Sequence, residues 1–198
     1  MAELRADAQR NRGELLGAAR QVIAEEGVDA SLRDIARRAG VGIGTLYRHF
    51  PTREALLAAI IDDGVRRLAA TAEGLAAAKP ADEALDAWLT KVAGTIGPYR
   101  GLAASMLEAV TDEEAGDPAL RLACEGMMDS GRDLLAAAQA SGDIRPDVTW
   151  PDVFTAIAAI SGIASQPGKQ DRDAAARVLA VYLDGLRATH AARPVQAM

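Results

Sequence analysis

Residues 31–50 read SLRDIARRAGVGIGTLYRHF, and this stretch decides the fold. Ser31 stands three residues before Asp34, the S-x-x-[DE] pattern of a helix start. Ile35 and Ala36 follow, and Ala39-Gly40 closes the short helix, because glycine enters the left-handed conformation at a helix end without a Cβ penalty. A second short helix is expected from Gly42 or Ile43 to His49. Two short helices joined by a glycine turn form a helix-turn-helix, whose second helix is shaped for the major groove of DNA. Leu32, Ile35, Ala36, Ala39, Val41, Leu46 and Phe50 are the inward set. Arg33, Arg37, Arg38, Thr45, Tyr47, Arg48 and His49 are left outside, and Gly42 and Gly44 allow the backbone close to phosphates.

Working outward, residues 9–26 place Leu15, Leu16, Ala19, Val22 and Ile23 on one helical face, with Gly27 as the stop. On the other side, Thr52 is a suitable N-cap for a long helix over 53–77. Pro80 then separates a head from a body with helices expected near 81–96, 99–110, 117–141, 151–164 and 171–190. Turn clusters fall at 142–147 and 166–168, the acidic stretch at 112–114 reads as a solvated loop, and 191–198 reads as a frayed tail. The chain is thus expected to be all-α, with about nine helices. Its domains divide as a head, 1–55, and a body, 56–198, joined by the long helix.

Composition agrees. Ala and Leu, among the strongest helix formers, supply 64 of 198 residues, and aromatics only 4%. The longest apolar run, residues 55–61, is far short of the roughly 20 needed to span a membrane. The N-terminus is polar, without an apolar signal core, so the expected location is the cytoplasm. One cysteine, Cys124, excludes an internal disulfide, and with only His49 and His190 no metal site or cofactor is expected. Cys124 reads as a small buried hydrophobe rather than a redox sensor, and His190 as solvated surface. Net charge is −6 overall, yet residues 1–55 carry a slight positive excess while the acid lies in the body. That asymmetry directs a polyanion to one end.

In Ile35-Ala36, Ala39-Gly40-Val41, Gly44-Thr45-Leu46-Tyr47 and His49-Phe50, followed by Arg53-Glu54-Ala55-Leu56, the chain resembles the tetracycline-repressor-like (TetR/AcrR) family of bacterial regulators. The resemblance is close over residues 9–60 and extends to the length and helix layout. Gly42 stands where serine is common and Arg53 where lysine is common. The resemblance implies that Thr45, Tyr47 and His49 contact the DNA backbone or groove, with Arg53 neutralising a phosphate near a helix N-terminus. Ser31 and Gly44 are counted with them. From its own chemistry Arg33 is the candidate to read a guanine edge, Ile43 a thymine methyl, and Arg48 lies beside them. A phosphate contact, or a salt bridge to Asp34 or Asp29, is the competing reading of Arg33. Arg5, Arg10 and Arg12 read either as a minor-groove arm or as a disordered tail.

Beyond residue 80 the sequence contains no recognised catalytic motif, and no enzyme activity is expected. There the resemblance implies a helical effector domain. Its candidate lining is Trp88, Leu89, Val92, Ile96, Tyr99, Met106, Leu107, Met127, Met128 and Phe154, since methionine and aromatic side chains suit an adaptable apolar pocket. Ordinary core packing is the competing reading. The resemblance also implies a homodimer through the last two helices, using Ile157, Ile160 and Ile163 with Val178, Leu179, Tyr182 and Leu186, while Ala158, Ala159, Ser161 and Gly162 permit close helix approach. The expected whole is a homodimeric repressor of a palindromic double-stranded operator, released by a small apolar effector, with the long helix as lever. The alternatives are a family activator, or an all-α enzyme or carrier with an incidental helix-turn-helix.

Overall fold

The computed structural model describes residues 2–111, 118–164 and 172–188; side chains are described for the same residues except 2–10, 164, 172 and 173. Among the described residues there are nine helices and no strand. The expectations for 112–114, 166–168, His190 and 191–198 lie outside the described residues.

The head is made by α1 (Ala2–Glu26), α2 (Leu32–Arg38) and α3 (Ile43–His49). Leu15, Ala19, Val22 and Ile23 of α1 are buried at helical spacing and meet Ile35 and Ala36 of α2, Leu46 of α3 and Phe50 in one apolar cluster. The turns are built as the sequence expects. Ser31 Oγ accepts from Asp34 N at 3.4 Å. Gly40 has φ 69°, its N–H bonds the Arg37 carbonyl at 3.1 Å, and the Val41 N–H reaches back to the Ala36 carbonyl at 3.0 Å. That pair of bonds is a Schellman closure, which satisfies carbonyls left open at the end of α2 and sets the angle at which α3 leaves. One boundary differs from expectation. The backbone of residues 2–8 continues α1 to Ala2 instead of forming an irregular tail; no proline interrupts this segment, whose alanines favour helix.

Thr52 Oγ1 accepts from Ala55 N at 3.0 Å and starts α4 (Arg53–Ala78). Its 26 residues reach about 39 Å at 1.5 Å per residue. Leu56, Leu57, Ile60, Ile61, Val65, Leu68 and Ala72 are buried along it, so α4 is fixed against its neighbours over most of its length. It packs on α1 at its head end and on α5 (Ala81–Ile96) and α7 (Pro118–Ala140) in the body. The body is completed by α6 (Leu102–Thr111), α8 (Trp150–Ala164) and α9 (Arg172–Gly185).

The body core gathers the largest side chains. Trp88 and Phe154 are fully buried, and Trp150 lies between them with ring centroids 5.9 and 6.1 Å away. Trp150 covers Gly131 of α7 so closely that a Cβ there would fall 2.0 Å from the indole ring. The end of α9 also departs from expectation, stopping at Gly185 instead of running to 190. The chain then turns, and residues 186–188 bond the 143–145 loop: Arg145 N to the Leu186 carbonyl and Ala188 N to the Asp143 carbonyl, each at 2.9 Å. Those bonds replace the helical ones that the backbone gives up. The Arg187 guanidinium extends the seam to Asp82, at 2.6 Å, and Asp86 on α5.

Candidate nucleic-acid interface and effector groove

On α3 the buried Leu46 fixes the rotation of the helix, and Gly44, Tyr47 and Arg48 turn to solvent. Tyr47 is 50% exposed, unusual for a large aromatic residue without an outside partner. Ile43, Thr45 and His49 are half-buried at the flanks, and the His49 ring leans against Phe50 with centroids 6.3 Å apart. The exposed face thus offers a phenol, a guanidinium and open backbone at Gly44.

The arginines of α2 separate into two kinds. Arg37 pairs with Asp34 at 2.7 Å, and Arg38 with Glu25 of α1 at 2.8 Å. Arg33 is exposed and has no ion pair or hydrogen bond among the described residues, Asp34 being held by Arg37. Ser31, also exposed, caps α2 through its oxygen lone pair and keeps its hydroxyl proton to donate. Arg12 lies 5.4 Å over the Phe50 ring, a cation–π contact that holds its charge on the head surface beside the end of α3. The side chains of Arg5 and Arg10 lie outside the described residues.

Arg53, the expected phosphate contact, also makes hydrogen bonds within the head. Its Nη1 donates to the Val28 carbonyl and, at 2.7 Å, to the Ala30 carbonyl. The guanidinium thereby ties the start of α4 to the loop that leads into α2. A charged donor on two carbonyls of one short loop is a strong positional restraint.

The candidate effector residues are split by the fold. Trp88, Leu89, Val92, Met106, Met127 and Phe154 are at most 1% exposed, and Met128 is buried as well. The Trp88 Nε1 proton, the polar handle of that residue, is given to the Leu68 carbonyl at 2.9 Å. Ile96, although equally buried, and the half-buried Tyr99 and Leu107 line an apolar groove of about 300 Å³ between α6 and α8. Its remaining walls are Gly101, Ala103, Ala104, Thr155, Ala158, Ala159, Ser161 and Gly162. Small side chains make the space, and the sequence reading, which looked for methionine and aromatic bulk, did not assign them to a pocket. Ser161 Oγ is buried and donates to the Ile157 carbonyl at 2.7 Å, so it presents little polarity to the groove.

Of the residues expected at a dimer interface, Ile157, Ile160, Leu179 and Leu186 are buried within the chain, Ile163 and Tyr182 are half-buried, and Val178 is exposed. Val181, one turn from Val178, is 71% exposed and was not anticipated; an exposed valine beside another at helical spacing was the available signal. Among the described residues, no group of His, Cys, Asp and Glu side chains is arranged to hold a metal ion, and no helix is long and apolar enough to cross a membrane.

Comparison with known proteins agrees with this geometry. Residues 15–60 match the family described as "Bacterial regulatory proteins, tetR family", and residues 79–188 match "Transcriptional regulator SbtR-like, C-terminal domain". A TetR transcriptional regulator from Streptomyces coelicolor is 40% identical, with 89% of this chain and 98% of that one aligned at a TM-score of 0.56. A TetR transcription regulatory protein from Mycobacterium vanbaalenii is 36% identical over 93% and 99% of the two chains, at 0.52. The curated relative UidR, an HTH-type transcriptional regulator of Escherichia coli, is 41% identical over 71 residues, which span 35% of this chain and 36% of that protein. The transcriptional regulator FadR of Bacillus subtilis, solved with stearoyl-CoA, shares the fold at 22% identity and a TM-score of 0.61, with 88% and 98% of the chains aligned. The chain belongs to the TetR family of bacterial transcriptional regulators, and is an all-α DNA-binding protein of that family.

Proposed function

We propose that the protein is a homodimeric repressor that reads a palindromic operator and is released by a small apolar ligand. The observation that carries the DNA-reading part is the outward set Gly44, Tyr47 and Arg48 on α3, beside Arg33 on α2, which has no ion pair among the described residues, all standing on turns with satisfied backbone. In this reading α3 enters the major groove. Thr45, Tyr47 and His49 hold phosphates, Ser31 adds a hydroxyl contact, Arg33 and Arg48 reach base edges, and Ile43 packs on a thymine methyl. Arg53 acts indirectly, by fixing the loop before α2.

One seven-residue reading helix addresses few base pairs, and pairing two of them about 34–36 Å apart is the general route to adequate specificity. Support for the pairing surface comes from α9, which holds two of the four large hydrophobic residues exposed among the described ones, Val178 and Val181. The groove beside α6 and α8 supports the ligand part: its walls are almost wholly apolar, which favours a compact, weakly polar molecule. Release follows if that molecule binds better to a dimer whose heads are wrongly spaced.

The test is duplex binding by fluorescence anisotropy, on a sequence selected from random DNA by the wild-type protein. Tyr47→Ala is expected to weaken binding at least tenfold without changing the melting temperature, because the ring is half outside the fold. Unchanged affinity would remove α3 from the interface.

A further inference from the structure

The turn joining α5 to α6 has two faces. On one, Ile96, Tyr99 and Gly101 form part of the groove wall, continued by Ala103 and Ala104 on α6. On the other, the same turn grips the head. The Arg100 carbonyl accepts the Val28 N–H at 2.9 Å, and the Arg100 guanidinium donates to the carbonyl of Glu26, the last residue of α1. The positive charge therefore sits at the negative end of the α1 dipole. Two glycines allow the approach. Gly27 has φ 98°, and a Cβ there would lie 2.9 Å from Arg100 Nε; Gly101 has φ 86°, and its Cβ would lie 2.7 Å from Val28 Cγ2. Residues 27–30 run directly into Ser31, the cap of α2.

The same loop is held from its other side by Arg53, at the head end of α4. Besides the packing of α1 on α4, the loop has two attachments: Arg53 belongs to the helix packed along α5 and α7, and Arg100 to the turn whose Tyr99 and Gly101 line the groove. Moving one attachment relative to the other tilts α2 and α3. We infer that Arg100 is a positioning residue that couples the groove to the reading head, so that an apolar occupant displacing the 98–101 turn loosens the 26–30 loop and misaligns α3. This rests on the reading of the groove as the effector site. The coupling then runs through a contact outside α4, the helix expected from the sequence to be the lever.

Ala104→Trp serves as a built-in occupant, because Ala104 is exposed on the groove wall and its enlargement leaves the core intact. Hydrogen exchange of the Val28 amide reads the latch without DNA, and affinity for the selected duplex reads the head. Ala104→Trp is expected to speed Val28 exchange at least tenfold and to weaken duplex binding at least tenfold. Arg100→Met keeps the side-chain stem and removes the donors; in that background the effect of Ala104→Trp on binding should fall below threefold. Equal effects of Ala104→Trp in both backgrounds, or unchanged Val28 exchange, would overturn the coupling. Wild-type protein that selects no duplex would instead overturn the reading of the head, and the exchange measurement would still decide the latch. Thermal melts confirm folding, and Ala104→Leu replaces the tryptophan variant if that one does not fold.

Discussion

On α3, Tyr47 and Arg48 stand outward from a helix whose Leu46 is completely buried; on α6, Ala103 and Ala104 border a groove beside a completely buried Met106. The head spends its small residues on turns and holds its long polar side chains outside. The body spends its large side chains inside and leaves alanine and glycine along its groove. A surface that reads a polyanion needs donors projecting from a fixed frame, whereas a ligand cavity is made by missing bulk. Head and body therefore respond differently to substitution.

The contrast is broken most severely at Gly131. Gly131→Ala would place a methyl group inside the Trp150 ring, and overpacking of this kind is expected to destabilise the protein by about 3 kcal/mol in denaturant unfolding. A stability equal to wild type would show that the body is looser than described. At the joint between the regions, Arg53→Met leaves the Val28 and Ala30 carbonyls without their charged donor. A loss of about 2 kcal/mol in unfolding free energy is expected, accompanied by weaker duplex binding. Loss of binding with full stability would return Arg53 to direct phosphate contact. In the head, Arg33→Ala is expected to cost about 1–3 kcal/mol of duplex binding and relax preference at one base pair, with no change in melting temperature. Uniform weakening across sequences would make Arg33 a phosphate contact. The smallest effect belongs to Cys124, whose thiol is pushed up to about 12 by burial. At neutral pH it is expected to stay unmodified by a thiol reagent while the chain is folded, and to react once urea unfolds it. Fast modification of the folded protein would contradict a closed body.

The head was almost fully legible in the sequence because its signals are local. Ser31, Gly40 and Thr52 act on residues within four positions, and the caps and turn appear where those residues stand. The hydrogen bonds of Arg53 were not legible, since its partners Val28 and Ala30 are more than twenty positions away. Arg100 left still less trace, because it bonds Glu26 across 74 positions. In the body, helix bounds followed from prolines, glycines and apolar spacing. The end of α9 did not, because it depends on a backbone pairing with 143–145. Trp88 and Met106 were reasonable choices for a pocket, but periodicity alone does not separate a wall from a core. Ala158, Ala159 and Gly162, small residues that permit close helix approach, also line the groove wall, which helical periodicity does not signal.

In the proposed function two copies of this head read one palindrome. The most direct measurement is retention of genomic fragments by the purified protein at physiological salt, followed by footprinting of the retained fragment. The expected result is one protected palindrome whose half-site centres lie about 34–36 Å apart, one helical turn of the duplex. Weak retention of all fragments alike, lost steeply as salt rises, or protection of a single half-site, would contradict it.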